Sequence, residues 1–282
     1  MAINIRLQTS MGKRRREMDK AFANIDNRGV PLFGLVELET QNRCNGSCNF
    51  CPVNKNDDIR PYAKMTDELF EKIMSELREL NYSGTLSLFC NNEPFLDTRL
   101  EGFAKIAREY LPKARIQIYT NGTVLKLERF IEIIQYLDVM VIDNYNDELK
   151  WHDTVIAIRE YIKKNPELKS KVKIRMHKES AIMSTRGGQA PNSREIKTLP
   201  ISCLLPFYHM VIRPDGKISL CCNDAWGKYT LGDVSQQSLE EVWYNDAFTE
   251  IRSKVREGRD TLELCKYCDS YANAAQLHIK EW

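Results

Sequence analysis

Short runs rich in branched and aromatic residues alternate with longer runs of helical spacing through the first two thirds of the chain. Strands are predicted at Phe33–Glu39, Thr85–Phe89, Arg115–Tyr119, Asp138–Ile142 and Lys171–Met176. Between them lie amphipathic helices. One starts at Thr66, a polar cap followed by Asp67 and Glu68, and carries Leu69, Phe70, Ile73, Leu77 and Leu80 on one stripe. Others fall near 98–110, 126–137 and 152–164. Strand and helix in alternation predict right-handed βαβ units and a parallel sheet, open or curled into a barrel, with ligands at the C-terminal strand ends. After about residue 190 the pattern changes. Tyr208–Arg213 and Lys217–Cys221 read as a hairpin turning at Pro214, Asp215 and Gly216, and one helix is expected from about Ser238 to Arg256. The chain thus divides into an N-terminal extension (1–32), an α/β core (33–190) and a small α+β segment (191–282). In the extension Lys13, Arg14, Arg15 and Arg16 precede Glu17, Asp19 and Lys20, the pattern of a short solvated helix.

Charge adds little, because 41 basic residues face 39 acidic ones over 282 positions. That balance argues against nucleic acid as a partner. No run approaches the ~20 apolar residues of a spanning helix, and the N-terminus has no signal-peptide pattern, so a cytoplasmic location is expected. Cysteine count changes the picture most. The nine lie at 44, 48, 51, 90, 203, 221, 222, 265 and 268. In a reducing compartment such clusters are more often metal ligands than disulfides.

Cys44, Cys48 and Cys51 form CxxxCxxC directly after the first strand, where a ligand is expected. Structural zinc takes four protein ligands, whereas three cysteines on a 4Fe-4S cluster leave one iron open. This motif, with Phe50 before its last cysteine, resembles that of the radical S-adenosylmethionine (SAM) enzymes. The resemblance implies a partial (β/α)6 barrel and reductive cleavage of SAM to a 5'-deoxyadenosyl radical that takes hydrogen from an unactivated C–H. It also implies a flavodoxin- or ferredoxin-type electron donor. Asn91-Asn92-Glu93-Pro94 stands where the family usually has Gly-Gly-Glu-Pro, so Asn92 and Glu93 are implied contacts of the methionine amino group. Thr120 and Asn121 are implied at the ribose, and Phe50 near adenine.

Cys203, Cys221, Cys265 and Cys268, with Ser238–Phe248 between, resemble a twitch domain, the shortened SPASM arrangement that binds a second 4Fe-4S cluster. Four cysteines in this spacing also suit a zinc ribbon. On the iron–sulfur reading no iron is left open, so that cluster would accept electrons. The run from Phe33 to Cys268 resembles the family's cyclitol-oxidising dehydrogenases, which implies a small sugar-like substrate and a ketone product. Arg186, within Ser184–Gly188, is implied as a substrate or SAM contact with possible base function. Two cysteines are left over. Cys90 and Cys222 are buried thiols or hydrogen-atom donors, and the second role would make the enzyme an epimerase. Peptide maturation is a third option, which an extension of 32 residues disfavours as too short for a leader-recognition domain. A noncatalytic zinc scaffold is the fourth. His152, His177 and His209 are expected to be structural, although His177, with Asp143, Asn144 and Tyr145, stands at a strand end where substrate would lie.

Overall fold

The computed structural model describes residues 2–191 and 197–270, with side chains outside the description for 2–11, 13 and 14. Lys13 and Arg14 of the basic run therefore lie outside the described side chains. One sheet of eight strands organises the molecule. In chain order these are β1 (Leu35–Leu38), β2 (Thr85–Ser87), β3 (Arg115–Thr120), β4 (Val139–Tyr145), β5 (Val172–His177), β6 (His209–Ile212), β7 (Lys217–Ser219) and β8 (Thr230–Asp233). Across the sheet they run β5-β4-β3-β2-β1-β6-β7-β8. The first six are parallel and the last two antiparallel. The sheet does not close, as a partial barrel requires.

Among the described residues the eight α-helices are α1 (Ala2–Arg28), α2 (Asp67–Glu79), α3 (Leu100–Tyr110), α4 (Leu127–Ile133), α5 (Asp153–Lys164), α6 (Leu239–Trp243), α7 (Asp246–Glu257) and α8 (Glu263–Lys266). Those crossing between strands bury the stripes their spacing predicts. In α2, Thr66 accepts from the Leu69 amide at 3.1 Å and caps the helix. Phe70, Ile73, Met74 and Leu77 then bury inward, and Phe70 stacks on Phe103 of α3 with ring centroids 4.1 Å apart. Each such side chain contributes roughly 1.5–3 kcal/mol by leaving water.

The six parallel strands form the partial barrel expected, with four helices crossing between β1 and β5 and β6 joining the other edge of β1, where Glu37 pairs with Val211. Two expectations change. The helix expected over 238–256 is two. The Asn245 side chain accepts from the Phe248 amide at 2.9 Å and starts α7, while Ser238 and Glu241 form a capping box for α6. The extension is not a short solvated helix, because α1 runs 27 residues and buries Met18, Ala21 and Ile25. Phe22 packs edge-on against Phe207, 5.3 Å between centroids. The C-terminal helices close the other flank, where Trp243 meets Phe33 edge-on at 5.4 Å and donates to the Pro31 carbonyl at 2.8 Å.

Candidate active site

The loop leaving β1 carries the first three cysteines, and its base is fixed by the backbone. Gln41 bridges Lys64, and the Met65 amide donates to the Thr40 carbonyl at 2.8 Å. Within the loop, Asn54 Nδ2 donates to the carbonyls of Cys48 at 3.3 Å and Cys51 at 2.8 Å. The Gly46 amide points to Cys44 Sγ at 3.3 Å. All nine cysteines are free. Burial pushes the Cys44 and Cys48 thiols up to about 12, and repulsion from Cys51 adds to both. Such a set is stable as thiolates only against a compensating positive centre.

The second set comes together from three places. Cys203 precedes β6, Cys221 follows β7, and Cys265 and Cys268 lie on and after α8. Burial raises the Cys203, Cys221 and Cys265 thiols, and repulsion from other members of the set adds to it. Among the described residues, the one set of three potential ligand atoms within 4.8 Å of one another is Glu37, His209 and Cys222. Neither cysteine set draws in to the roughly 3.8 Å between thiolates that a single tetrahedral zinc imposes. The donor type and the wider spacing fit iron–sulfur clusters instead.

A cavity of about 300 Å³ opens at the C-terminal strand ends beside the first set. Cys44, Cys48, Cys51, Phe50, Cys90, Asn92, Glu93, Thr120, Asn121 and Arg186 all line it. Of the implied site residues outside the second cysteine set, Cys222 alone is missing from that lining. It lies in the turn after β7, which ends at Ser219, so strand alternation does not orient it.

Within the cavity the side chains divide between building and binding. Glu93 builds. Its carboxylate accepts from Thr120 Oγ1 at 2.7 Å, the Phe95 amide at 3.1 Å and the Asn121 amide at 2.8 Å, clasping the ends of β2 and β3. Burial lifts its pKa to about 7, with those donors pulling the other way. Asn121 is also a builder, donating to Asn45 Oδ1 at 3.0 Å and accepting from the Thr123 amide at 2.9 Å. Two atoms are left without partners. Asn92 Nδ2 and Arg186 Nε are buried donors with no hydrogen bond, at residues lining the cavity, as a site for a ligand's oxygens requires.

Arg186 stands between the two cysteine sets. Its backbone is left-handed (φ 51°), in a loop pinned where the Thr185 amide donates to Asp269 at 2.9 Å and Thr185 Oγ1 to the Tyr267 carbonyl at 2.7 Å. Its Nη2 donates to the Cys222 carbonyl at 2.9 Å and to Asn91 Oδ1. Burial disfavours its charge, but the neighbouring groups Cys51, Cys222, Cys90 and Glu37 outweigh that and raise its pKa. It is held as a cation.

On the far wall Phe50 leans on Tyr145 at 5.3 Å, and Tyr145 stacks on His177 at 5.4 Å. Asp143 accepts from Arg175 Nε at 2.6 Å and Nη2 at 2.8 Å, with His177 Nε2 3.1 Å away. Asn144 does not face substrate, because it accepts from the His152 amide at 2.9 Å and donates to the Lys150 carbonyl at 2.9 Å, on the opposite face of β4. Sequence reasoning missed Glu37, and assigned His209 only a structural role. A charge between apolar neighbours in Leu35-Val36-Glu37-Leu38 was the available signal.

Comparison with known proteins agrees with this geometry. The radical SAM superfamily pattern matches residues 38–167, and the SPASM iron–sulfur cluster-binding domain matches 203–269. The chain is 29% identical over 243 residues to the S-adenosyl-L-methionine-dependent 2-deoxy-scyllo-inosamine dehydrogenase of Niallia circulans, covering 85% of this chain and 94% of that one. It superposes on BtrN in complex with AdoMet and 2-DOIA with a TM-score of 0.75 at 27% identity, over 87% and 96% of the two chains. The same protein in an open conformation gives 0.63 at 25%, over 85% and 94%.

Proposed function

Because the chain is a radical SAM enzyme with a SPASM-type iron–sulfur domain, we propose that it oxidises an alcohol carbon of a cyclitol or related sugar-like molecule to a ketone. What supports this reading is a set of three cysteines lining the cavity, a second set of four elsewhere in the fold, and Arg186, which lines the cavity and donates to the Cys222 carbonyl beside one of the four. Similarity to a named cyclitol dehydrogenase along most of both chains supports it.

When bound, the clusters and SAM supply the radical that removes hydrogen and an acceptor for the electron that follows. The chain's own residues position and exclude. Cys44, Cys48 and Cys51 hold the first cluster, and Cys203, Cys221, Cys265 and Cys268 the second. Asn92 Nδ2 and the cavity-facing backbone beside it bind the amino-acid end of SAM, Glu93 and Asn121 fix that backbone, and Phe50 with Tyr145 covers the adenine. Arg186 offers Nε to a substrate oxygen. Held charged, it orients and does not take a proton. A flavodoxin- or ferredoxin-type donor delivers the starting electron, and close-spaced thiols serving as metal ligands suit a reducing compartment such as the cytoplasm; no helix among the described residues is long and apolar enough to cross a membrane.

One observation favours a second reading, epimerisation: the Cys90 residue lines the cavity, where a thiol can return hydrogen to a carbon radical. A single experiment separates the two. After anaerobic reconstitution, turnover of 2-deoxy-scyllo-inosamine in D2O should give 5'-deoxyadenosine and a ketone with no solvent deuterium at the oxidised carbon. Deuterium at a carbon of inverted configuration, lost in Cys90→Ala, would establish epimerisation instead.

A further inference from the structure

Behind the cavity lies a polar group that neither the cysteine sets nor the SAM-facing loops use. Glu37 Oε2 accepts the Cys90 thiol at 3.0 Å and lies 3.1 Å from His209 Nε2, with the Cys222 thiol in the same cluster. Alternation along β1 explains the placement. Val36 and Leu38 are fully buried toward the helices, which turns Glu37 to the inner face. With β2 and β6 on either edge, its side chain keeps 15% exposure, one residue behind the cavity lining. Its neighbours Cys90 and Arg186 line the cavity. His209 is 1% exposed, and neither ring nitrogen has a partner in hydrogen-bond geometry. A buried carboxyl on a central strand is costly unless it is used.

The other interior carboxyls are already engaged. Asp143 is gripped by Arg175, and Glu39 is held by the Asn91 amide at 2.7 Å and Arg60 at 3.2 Å. Burial would raise Glu37, yet His209, the Cys90 donor and Arg186 outweigh it and keep the carboxyl below its usual range, so it enters the reaction ionised. Tyr119 on β3, two strands away, and Tyr208 in the turn before β6 also feel its charge.

We propose that Glu37, backed by His209, is the base that receives the hydroxyl proton of the substrate. This rests on the alcohol-oxidation reading. Once hydrogen has left the carbinol carbon, the O–H bond of the remaining radical breaks and its proton passes to a Glu37 oxygen. The C=O π bond forms as one electron leaves to a low-potential iron–sulfur acceptor, the class the four cysteines fit. His209, with Nε2 3.1 Å from the carboxylate, positions it and favours its charged form. Cys222, in the same cluster as Glu37, is the sequence neighbour of Cys221.

The test uses reconstituted enzyme, SAM and 2-deoxy-scyllo-inosamine deuterated at the carbinol carbon. In Glu37→Gln, deuterium should still pass into 5'-deoxyadenosine while ketone yield falls about 100-fold or more, the usual loss when a base is removed. A substrate-centred radical should accumulate in freeze-quenched EPR spectra, and Glu37→Asp should recover part of the ketone. His209→Gln should show the same split with a loss of about tenfold, and it decides the matter if Glu37→Gln does not fold. Ketone yield within about threefold of wild type in Glu37→Gln overturns the proposal. So does joint loss of deuterium transfer and ketone in both variants, which would make the pair a binding element. A wild-type enzyme that makes no ketone overturns the alcohol-oxidation reading itself, and the wild-type arm shows that failure separately.

Discussion

The two cysteine sets are built in opposite ways. Cys44, Cys48 and Cys51 lie within eight consecutive residues, on one loop that bonds within itself and is tied to its surroundings through Asn121, Thr123 and Glu179. Cys203 to Cys268 spans 66 residues, and those four thiols meet only when β6, β7 and α8 have packed. Closing the longer span costs roughly 2 kcal/mol more in chain entropy, which packing and metal must return. The local set can therefore leave coordination open for chemistry without threatening the fold. The assembled set fastens the C-terminal segment, including the segment beyond Cys268 that pins the Arg186 loop.

The largest expected effect divides the sets most sharply. Cys44→Ala should abolish 5'-deoxyadenosine formation yet leave the melting temperature nearly unchanged. Cys265→Ala should bring iron from about eight to about four per chain and lower the melting temperature by many degrees. Equal thermal shifts in the two would break the comparison; iron analysis and calorimetry decide it.

The second effect concerns what ties the local loop to the sheet. Glu93 is buried with its pKa lifted to about 7 from 4.5. Its folded form thus holds a proton that the unfolded chain releases. The contribution is complete below about pH 4.5 and is lost as pH rises through about 7, a change of about 3 kcal/mol. Urea unfolding of iron-free protein across that range should show the loss, and Glu93→Gln should flatten it. An unchanged profile in the variant would assign the pH dependence to other groups.

The smallest effect compares a glycine from each region. At Gly46 a Cβ would meet Cys44 Sγ at 3.5 Å, an ordinary contact, so Gly46→Ala should shift stability by about 0.5 kcal/mol or less. At Gly187 the backbone is left-handed (φ 62°), and a Cβ would stand 2.5 Å from Leu264 Cδ1 and 3.0 Å from its carbonyl. Strain alone there costs roughly 1–3 kcal/mol. Thermal melts of both variants test whether tolerance follows local against assembled construction.

Legibility in the sequence follows the same division. Strands β1 to β7 and helices α2 to α5 were readable because period and capping are local properties, as at Thr66. β8 was not, because Thr230-Leu231-Gly232-Asp233 lacks a run of branched or aromatic residues. The break between α6 and α7 was hidden because Asn245 reads as a polar helix position until its side chain is seen capping Phe248. Glu93 and Asn121 were singled out by the family resemblance and their place at successive strand ends. Their work, clasping strand ends, lies in contacts across 28 residues.

By itself, then, the sequence determined the alternating α/β grammar, both cysteine sets and the class of chemistry they serve, since spacing and ligand number are written in consecutive letters. Only the tertiary structure decided which edge of the sheet β6 joins, that Arg186 is buried as a cation between the cysteine sets, and that Glu37 and His209 meet. Those are outcomes of long-range pairing, where burial and a partner 172 positions away fix the charge and direction of a side chain. No local pattern carries that information, because the free energy that decides it comes from groups the chain brings together only on folding.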